Sequence, residues 1–203
     1  CWRIPLPGRV SVGLALDSAY IAGFGATIEE QYDRYLETDP AIKAWGGSPK
    51  RISPVLKYTN YQLRATRAHG PNWVLAGDAF GFVDPVFSSG LLVSLDSARA
   101  LADAVAAGTT RAFDRYEAHV LRHLRNWQLV VSHFYDGRLF TLFRVGDEMR
   151  DKWYGRLMDF HFSKHLPRVF TGEATTKRYS VGLLNFMCRY GLIDNDPNDL
   201  AVR

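Results

Sequence analysis

The 203-residue chain contains no Gly-x-Gly-x-x-Gly segment, so it carries no dinucleotide-binding fingerprint of its own. It has two cysteines, Cys1 and Cys188, and no Cys-x-x-Cys. That rules out a disulfide framework and a cysteine-based zinc site, and it fits a reduced, cytoplasmic setting. No apolar run is long enough to span a bilayer, and there is no signal-peptide pattern and no initiator Met. An excess of one charge is also lacking, with 25 Lys+Arg against 21 Asp+Glu and a net charge of +4. So small a surplus suits an anionic small ligand and does not indicate nucleic acid. No internal repeat, low-complexity tract or sharp linker stands out. What is present is ordinary for a globular protein, 47% hydrophobic and 23% charged, enough for one sizeable core. The 12 Phe, 10 Tyr and 5 Trp belong mostly in that core, with some free to line a pocket for a planar ring.

Taken in order, Trp2 to Ile4 and Val10 to Leu16 read as two strands about the tight turn Leu6-Pro7-Gly8-Arg9. Thr27 with Glu30 three places on has capping-box spacing and opens a helix. Asp39-Pro40 starts a short second helix, Ala41 to Trp45, which Gly46-Gly47 ends. Ile52 to Tyr58 and Tyr61 to Thr66 read as strands joined at Thr59-Asn60. On them Tyr58, Tyr61, Arg64 and Arg67 are either a cofactor or substrate wall or the solvated face of a plain hairpin, the commoner case. Thr110 to about Phe143 is the longest helical stretch, with Phe113, Tyr116, Val120, Leu124, Trp127, Val130, Val131 and Phe134 as its apolar stripe and Gly137 as a break. Lys152 to Phe162 and Lys177 to Tyr190 are further helices, Leu166 to Thr176 is a loop, and residues 194–199 form a loose polar tail. His119 and His123 are four apart, as are His161 and His165, a spacing that can chelate a metal. The zinc-protease Glu is missing and no third ligand is evident, so they read as surface pairs and no metal is expected.

The chain is organised around residues 77–90, Gly-Asp-Ala-Phe-Gly-Phe-Val-Asp-Pro-Val-Phe-Ser-Ser-Gly. Trp73 to Ala76 before it reads as a short buried strand. After it, Leu91, Leu92, Leu95, Ala98, Leu101, Ala102 and Val105 repeat at helical spacing up to Gly108, a C-cap. A helix start offers unpaired N–H groups and a positive dipole end, and Ser and Gly there let an anion approach closely. Asp78 falls at the carboxyl end of the strand, where α/β folds bind ligands and a carboxylate accepts hydrogen bonds from ligand hydroxyls. The same residues also make an ordinary turn and an ordinary helix start.

Gly77-Asp78-Ala79 with its helix resembles the second flavin fingerprint of FAD-dependent aromatic hydroxylases. Phe82-x-x-Pro85-x-x-Ser88-x-Gly90 is similar to the signature of flavin-dependent halogenases, and Trp2-Arg3-Ile4-Pro5 looks like the second half of their Trp-x-Trp-x-Ile-Pro motif. The resemblance covers roughly residues 1–145. It implies an α/β fold, mixed with α+β features: the C-terminal part of an FAD-binding hydroxylase-like fold, with a β-sheet substrate region, a flavin-contacting helix and a helical C-terminal region. Residues 1–108 would belong to the FAD-binding and substrate domain, and 109–203 to the helical region. Gly77, Asp78, Ala79, Pro85, Ser88 and Gly90 would contact FAD, and Ser89 and Gly90 would hold the halide through their N–H groups. Trp2, Ile4, Pro5 and Phe82 are motif residues. Asp84, an acid beside an anion site, is expected to bond backbone amides. Phe80 stands where many members have a smaller residue.

The implied activity is halogenation of an electron-rich aromatic or carrier-protein-bound substrate. The implied oxidant is hypohalous acid, formed from reduced flavin, oxygen and halide and delivered through a tunnel past a catalytic Lys. That Lys is expected in an N-terminal half outside this chain, since Lys43, Lys50 and Lys57 match no motif. FADH2 would come from a partner flavin reductase. A second reading is an FAD-dependent hydroxylase or reductase without halide chemistry. A third is a non-catalytic fragment or interaction domain, inactive alone because the adenine and pyrophosphate sites of FAD lie elsewhere.

Overall fold

A computed structural model describes residues 1–44, 50–59, 62–149, 152, 168 and 171–201. They fall into two compact units, Cys1–Thr59 and Asn60–Val202. The chain is mixed and helix-rich with small sheets.

In the first unit β1 (Trp2–Leu6) and β2 (Arg9–Gly13) form the antiparallel hairpin expected, with Trp2 opposite Gly13 and Leu6 opposite Arg9. The second strand stops at Gly13, short of Leu16, and the Trp2 indole covers Gly13 so closely that a Cβ there would lie 1.8 Å from Cζ2. Helix α1 (Ser18–Ala22) is capped by Asp17, whose carboxylate accepts from Ala19 N–H at 2.8 Å. Helix α2 (Ile28–Thr38) opens as its spacing predicts: Thr27 Oγ1 accepts from Glu30 N–H at 3.2 Å. The Glu30 side chain reaches back to the N–H of Ala26, one residue beyond the usual capping-box partner, at 2.8 Å. That bond, with one from Thr27, lowers the Glu30 pKa. Tyr32 donates to the Val12 carbonyl at 3.0 Å and ties α2 to the hairpin. Helix α3 (Pro40–Lys43) follows, and the expected Gly46-Gly47 stop lies outside the described residues.

Residues 52–58 were the first arm of an expected hairpin, and they form no strand. Ile52, Leu56 and Tyr58 are each more than 70% exposed, so among the described residues nothing covers the face that a strand would bury. The second arm pairs elsewhere: Ala65 N–H donates to the Phe80 carbonyl at 2.8 Å and Phe82 N–H to the Leu63 carbonyl at 2.7 Å.

In the second unit β3 (His69–Gly70) pairs with β4 (Trp73–Val74) as a two-residue hairpin. The strand before the central stretch is therefore minimal and not buried, since Trp73 is exposed and Val74 half-buried. Helix α4 (Gly90–Ala107) ends at left-handed Gly108, and Thr109 caps α5 (Thr110–Tyr135). The two helices pack side by side. Tyr116, Val120, Leu124, Trp127, Val130 and Val131 of α5 are buried as the stripe requires. Gly137 breaks the long helical stretch outright, with φ +77°, and α6 (Arg138–Met149) begins beyond it. Leu139, Leu142 and Val145 of α6 join the core with Leu184, Met187 and Cys188 of α8 (Arg178–Tyr190), which follows the short α7 (Glu173–Thr176). The tail is not loose: Pro197–Leu200 makes a 3₁₀ turn against Gly137, whose absent Cβ would lie 2.1 Å from the Pro197 carbonyl oxygen. The helix expected over Lys152 to Phe162 and the His161–His165 pair lie outside the described residues, Lys152 apart.

Candidate functional site

The central stretch is a chain of tight turns set against the start of α4. Gly77–Ala79 forms one 3₁₀ turn and Pro85–Phe87 another. Gly77 sits at φ +54°, and a Cβ on it would fall 2.9 Å from Ser94 Oγ of α4. Its N–H donates to Ser97 Oγ, also of α4, at 3.0 Å. The carbonyl of Leu75, two residues earlier, accepts the Tyr116 hydroxyl from α5 at 2.7 Å. Burial pushes the Tyr116 pKa up, against a hydrogen bond with Ser97 that lowers it. The turn bearing Asp78 is thus fixed by α4 and α5 together.

Three of the expected residues meet at one point. A Cβ built on Gly90 would lie 3.8 Å from Phe82 Cε2 and 4.0 Å from Asp78 Oδ1. Asp78 itself is exposed, as are Ala79, Pro85 and Ser88, while Gly77 and Gly90 are half-buried. Ser88 adopts the left-handed conformation, φ +53°, which turns the chain into the helix. Ser89 occupies the N-cap position without capping through its side chain. It is 3% exposed, and its Oγ is buried with no hydrogen-bond partner among the described residues. A buried hydroxyl without a partner at a helix start, where the first N–H groups are unpaired by geometry, is the feature that a bound anion would satisfy. The other motif residues, Trp2, Ile4 and Pro5, lie in the first unit, with Trp2 and Ile4 exposed at 46% and 50%.

Asp84 behaves as its awkward position requires. It is buried, and Oδ1 accepts from the Val86 N–H at 2.9 Å, the backbone amide expected from sequence. Its Oδ2 accepts the hydroxyl of Tyr135 at 2.9 Å, a partner 51 residues away that no local pattern reveals. Phe80 is fully buried in the core and takes no place in the loop surface.

The histidines of α5 are not the surface pair that their spacing suggested. His123 is buried at 3% exposure, and both His119 Nε2 (2.6 Å) and His123 Nδ1 (3.2 Å) reach Oδ2 of Asp96 on α4. Arg99 donates to the other carboxylate oxygen at 3.0 Å. Burial raises the Asp96 pKa, but the hydrogen bonds from His119 and Arg99 and the nearby imidazoles outweigh it, and the carboxyl titrates below its usual range. Asp96 stands on α4 seven residues after Ser89, so its bonds to His119 and His123 tie the helix that carries the candidate site to α5.

A sequence model of the family described as tryptophan halogenase matches residues 1–141. The chain belongs to that family. Among relatives of the family, the 1H-pyrrole-2-carbonyl-[peptidyl-carrier protein] chlorinase of Pseudomonas fluorescens is 30% identical over 150 residues, which are 70% of this chain and 33% of that protein. The tryptophan 2-halogenase of Chondromyces crocatus is 30% identical over 149 residues, 66% of this chain and 28% of that protein. The tetracycline 7-halogenase of Kitasatospora aureofaciens is 32% identical over 98 residues, 44% of this chain and 18% of that protein. The chain matches about a third or less of the length of these halogenases. Among the described residues no helix is long and apolar enough to cross a membrane.

Proposed function

We propose that this chain is the C-terminal portion of an FAD-dependent halogenase with a hydroxylase-like fold. In this reading residues 1–108 form part of the flavin and substrate domain, and 109–203 form the helical region that supports it. The observation that carries the reading is the meeting of Asp78, Phe82 and Gly90 at the start of α4, beside the unpartnered buried hydroxyl of Ser89. Gly90, the first residue of α4, has ordinary space for a Cβ. Keeping the position bare leaves room for a ligand against the backbone.

The residues suit both groups that the reading requires. Asp78, exposed and aimed at the helix start, would accept hydrogen bonds from flavin hydroxyls. The turns at Gly77–Ala79 and Pro85–Ser88 would lie against the flavin. The Ser89 and Gly90 N–H groups, with the helix dipole behind them, would hold chloride or bromide. Bound reduced flavin would supply the electrons that let oxygen oxidise the halide. The task of the chain is to bind, orient and hold water away. FADH2 from a separate reductase and an aromatic or carrier-bound acceptor complete the scheme, in a cytoplasmic setting that suits two free cysteines.

The dinucleotide fingerprint and the catalytic Lys would come from a further part of the same protein. Helix α4 supports this. Its apolar residues Leu91, Leu95 and Val105 are 73%, 63% and 59% exposed, while its buried positions are Val93, Ser97 and Ala104. An outward apolar stripe on the site helix is a surface suited to cover by additional protein. The test is full-length protein incubated with FADH2, oxygen, chloride and a panel of phenols, pyrroles and indoles, free and carrier-bound, read by mass spectrometry. A chlorine isotope pattern that depends on added chloride supports halogenation. Oxygen insertion without chlorine identifies a hydroxylase instead. No turnover and no flavin uptake by the full-length protein identifies a non-catalytic domain.

A further inference from the structure

The backbone that presents Asp78 is held at two points by side chains of the helices it packs on. Gly77 N–H donates to Ser97 Oγ of α4 at 3.0 Å, and the Leu75 carbonyl accepts the Tyr116 hydroxyl of α5 at 2.7 Å. Among the described residues these are the two side-chain bonds to the backbone of residues 75–81. Ser97 is 1% exposed and Tyr116 2%, so both bonds are made away from water.

The far side of the turn is held by backbone. The Gly77 carbonyl accepts from Phe80 N–H at 3.0 Å and from Gly81 N–H at 3.3 Å, and Phe80 is fully buried. The peptide group before Gly77 is thus fixed to α4 through Ser97, and the one after it to the core through Phe80. Peptide groups are planar, so fixing both fixes the two dihedrals between them, here at a left-handed φ of +54° that glycine tolerates. Asp78 is the next residue, and its carboxylate goes where these two anchors send it. Ser97 also lies seven residues after Gly90 on the same helix, about 10 Å along the axis. Gly90, Ser94 and Ser97 share one face of α4, the face that the Gly77–Asp78 turn approaches.

We propose that Ser97 is a positioning residue for the flavin, its hydroxyl setting the Gly77 peptide, with the Tyr116 phenol setting Leu75, so that the Asp78 carboxylate is aimed at the flavin hydroxyls. The inference rests on the reading of Asp78 as the acceptor of those hydroxyls and adds to it two buried residues on the helices. Ser97 touches no ligand in this scheme, and its effect passes through Asp78. Without the hydroxyl, the Gly77 N–H faces a methyl group. The turn must then shift to give that donor a new partner, and Asp78 shifts with it.

The experiment is a titration of FAD into the full-length protein, read by the change in flavin fluorescence, for wild type, Ser97→Ala, Asp78→Ala and the double variant, with thermal melting on each. Asp78→Ala should weaken FAD binding about tenfold, the scale of a hydrogen bond to a charged group, and Ser97→Ala about fivefold. The double variant should bind FAD as Asp78→Ala does, because with the carboxylate gone nothing is left to aim. A purely structural role would lower the affinity by the same factor in both backgrounds, so a double variant that much weaker than Asp78→Ala overturns the proposal. Equal affinity in wild type and Ser97→Ala overturns it as well, and in either case the reading of Asp78 stands. If Ser97→Ala does not fold, Tyr116→Phe takes its place in the same comparison, since it deletes the bond to the Leu75 carbonyl and keeps the ring. An Asp78→Ala protein that binds FAD as tightly as wild type overturns the reading of Asp78 and this inference together.

Discussion

Asp96 and His123 join α4 to α5 through a 3.2 Å bond from imidazole Nδ1 to the carboxylate, while His123 Nε2 accepts the Trp127 indole N–H at 3.2 Å. An indole nitrogen only donates. Nε2 is therefore bare, and Nδ1 carries the proton. Thr175 Oγ1 lies 3.3 Å from the same Nε2 and itself donates to the Gly172 carbonyl at 2.7 Å, which brings the residues before α8 onto this pair.

This arrangement sets a pH dependence. Burial lowers the His123 pKa, against the raising effect of Asp96. The unfolded chain then takes up that proton first, so the contribution of His123 to stability is complete above about pH 6.5 and falls as the pH drops below it. Asp96, also lowered, contributes above the ordinary carboxylate range and loses that contribution as the pH falls through its depressed value. Both effects act in the same direction. Urea midpoints should decline in two stages on acidification, the first beginning below about pH 6.5. His123→Gln should remove the first stage, and a flat wild-type profile from pH 7 to 5 would contradict the assignment.

Trp127→Phe keeps the buried ring and deletes the N–H given to His123. It should cost about 1 kcal/mol by denaturant titration beyond the change in ring size. It should also raise the His123 pKa, seen as an imidazole NMR titration at higher pH, because the bare Nε2 loses a donor that disfavours its protonation.

Gly77→Ala places a Cβ at φ +54° and 2.9 Å from Ser94 Oγ. The backbone strain alone is about 1–2 kcal/mol. Flavin affinity of the full-length protein should fall together with stability, since the substitution displaces the turn that presents Asp78. Gly137→Ala is harsher, because its Cβ meets backbone atoms, the Pro197 oxygen at 2.1 Å and the Ala201 nitrogen at 2.6 Å. It should expel the 197–200 turn and make the C-terminus sensitive to limited proteolysis.

Cys188 is fully buried, and burial first, then the charge of Asp136, pushes its pKa up to about 12. Cys1 is exposed. Iodoacetamide at neutral pH should modify Cys1 promptly and Cys188 only on unfolding. Prompt double modification would contradict the packing of α8 against α6.

The features legible in sequence were those governed by neighbours along the chain. The stripe from Tyr116 to Val131 buried as spacing required, and Thr27 and Gly108 capped their helices. The strands over 52–66 failed because an alternating pattern needs a partner, and Leu63 to Ala65 pairs with Phe80 to Phe82 rather than with Ile52 to Tyr58. In the site, the Val86 amide on Asp84 was foreseeable two residues away. The Tyr135 hydroxyl and the Asp96 anchor of His123 were not, because they depend on the packing of α4 and α5, which local pattern does not encode.

The site proposed at the start of α4 is an anion site that serves halide chemistry. Bromide soaked into crystals of the full-length protein tests it most directly, through anomalous scattering. A bromide peak is expected within hydrogen-bond distance of the Ser89 and Gly90 amides, beside Ser89 Oγ. A bromide-saturated crystal with no peak there would contradict it.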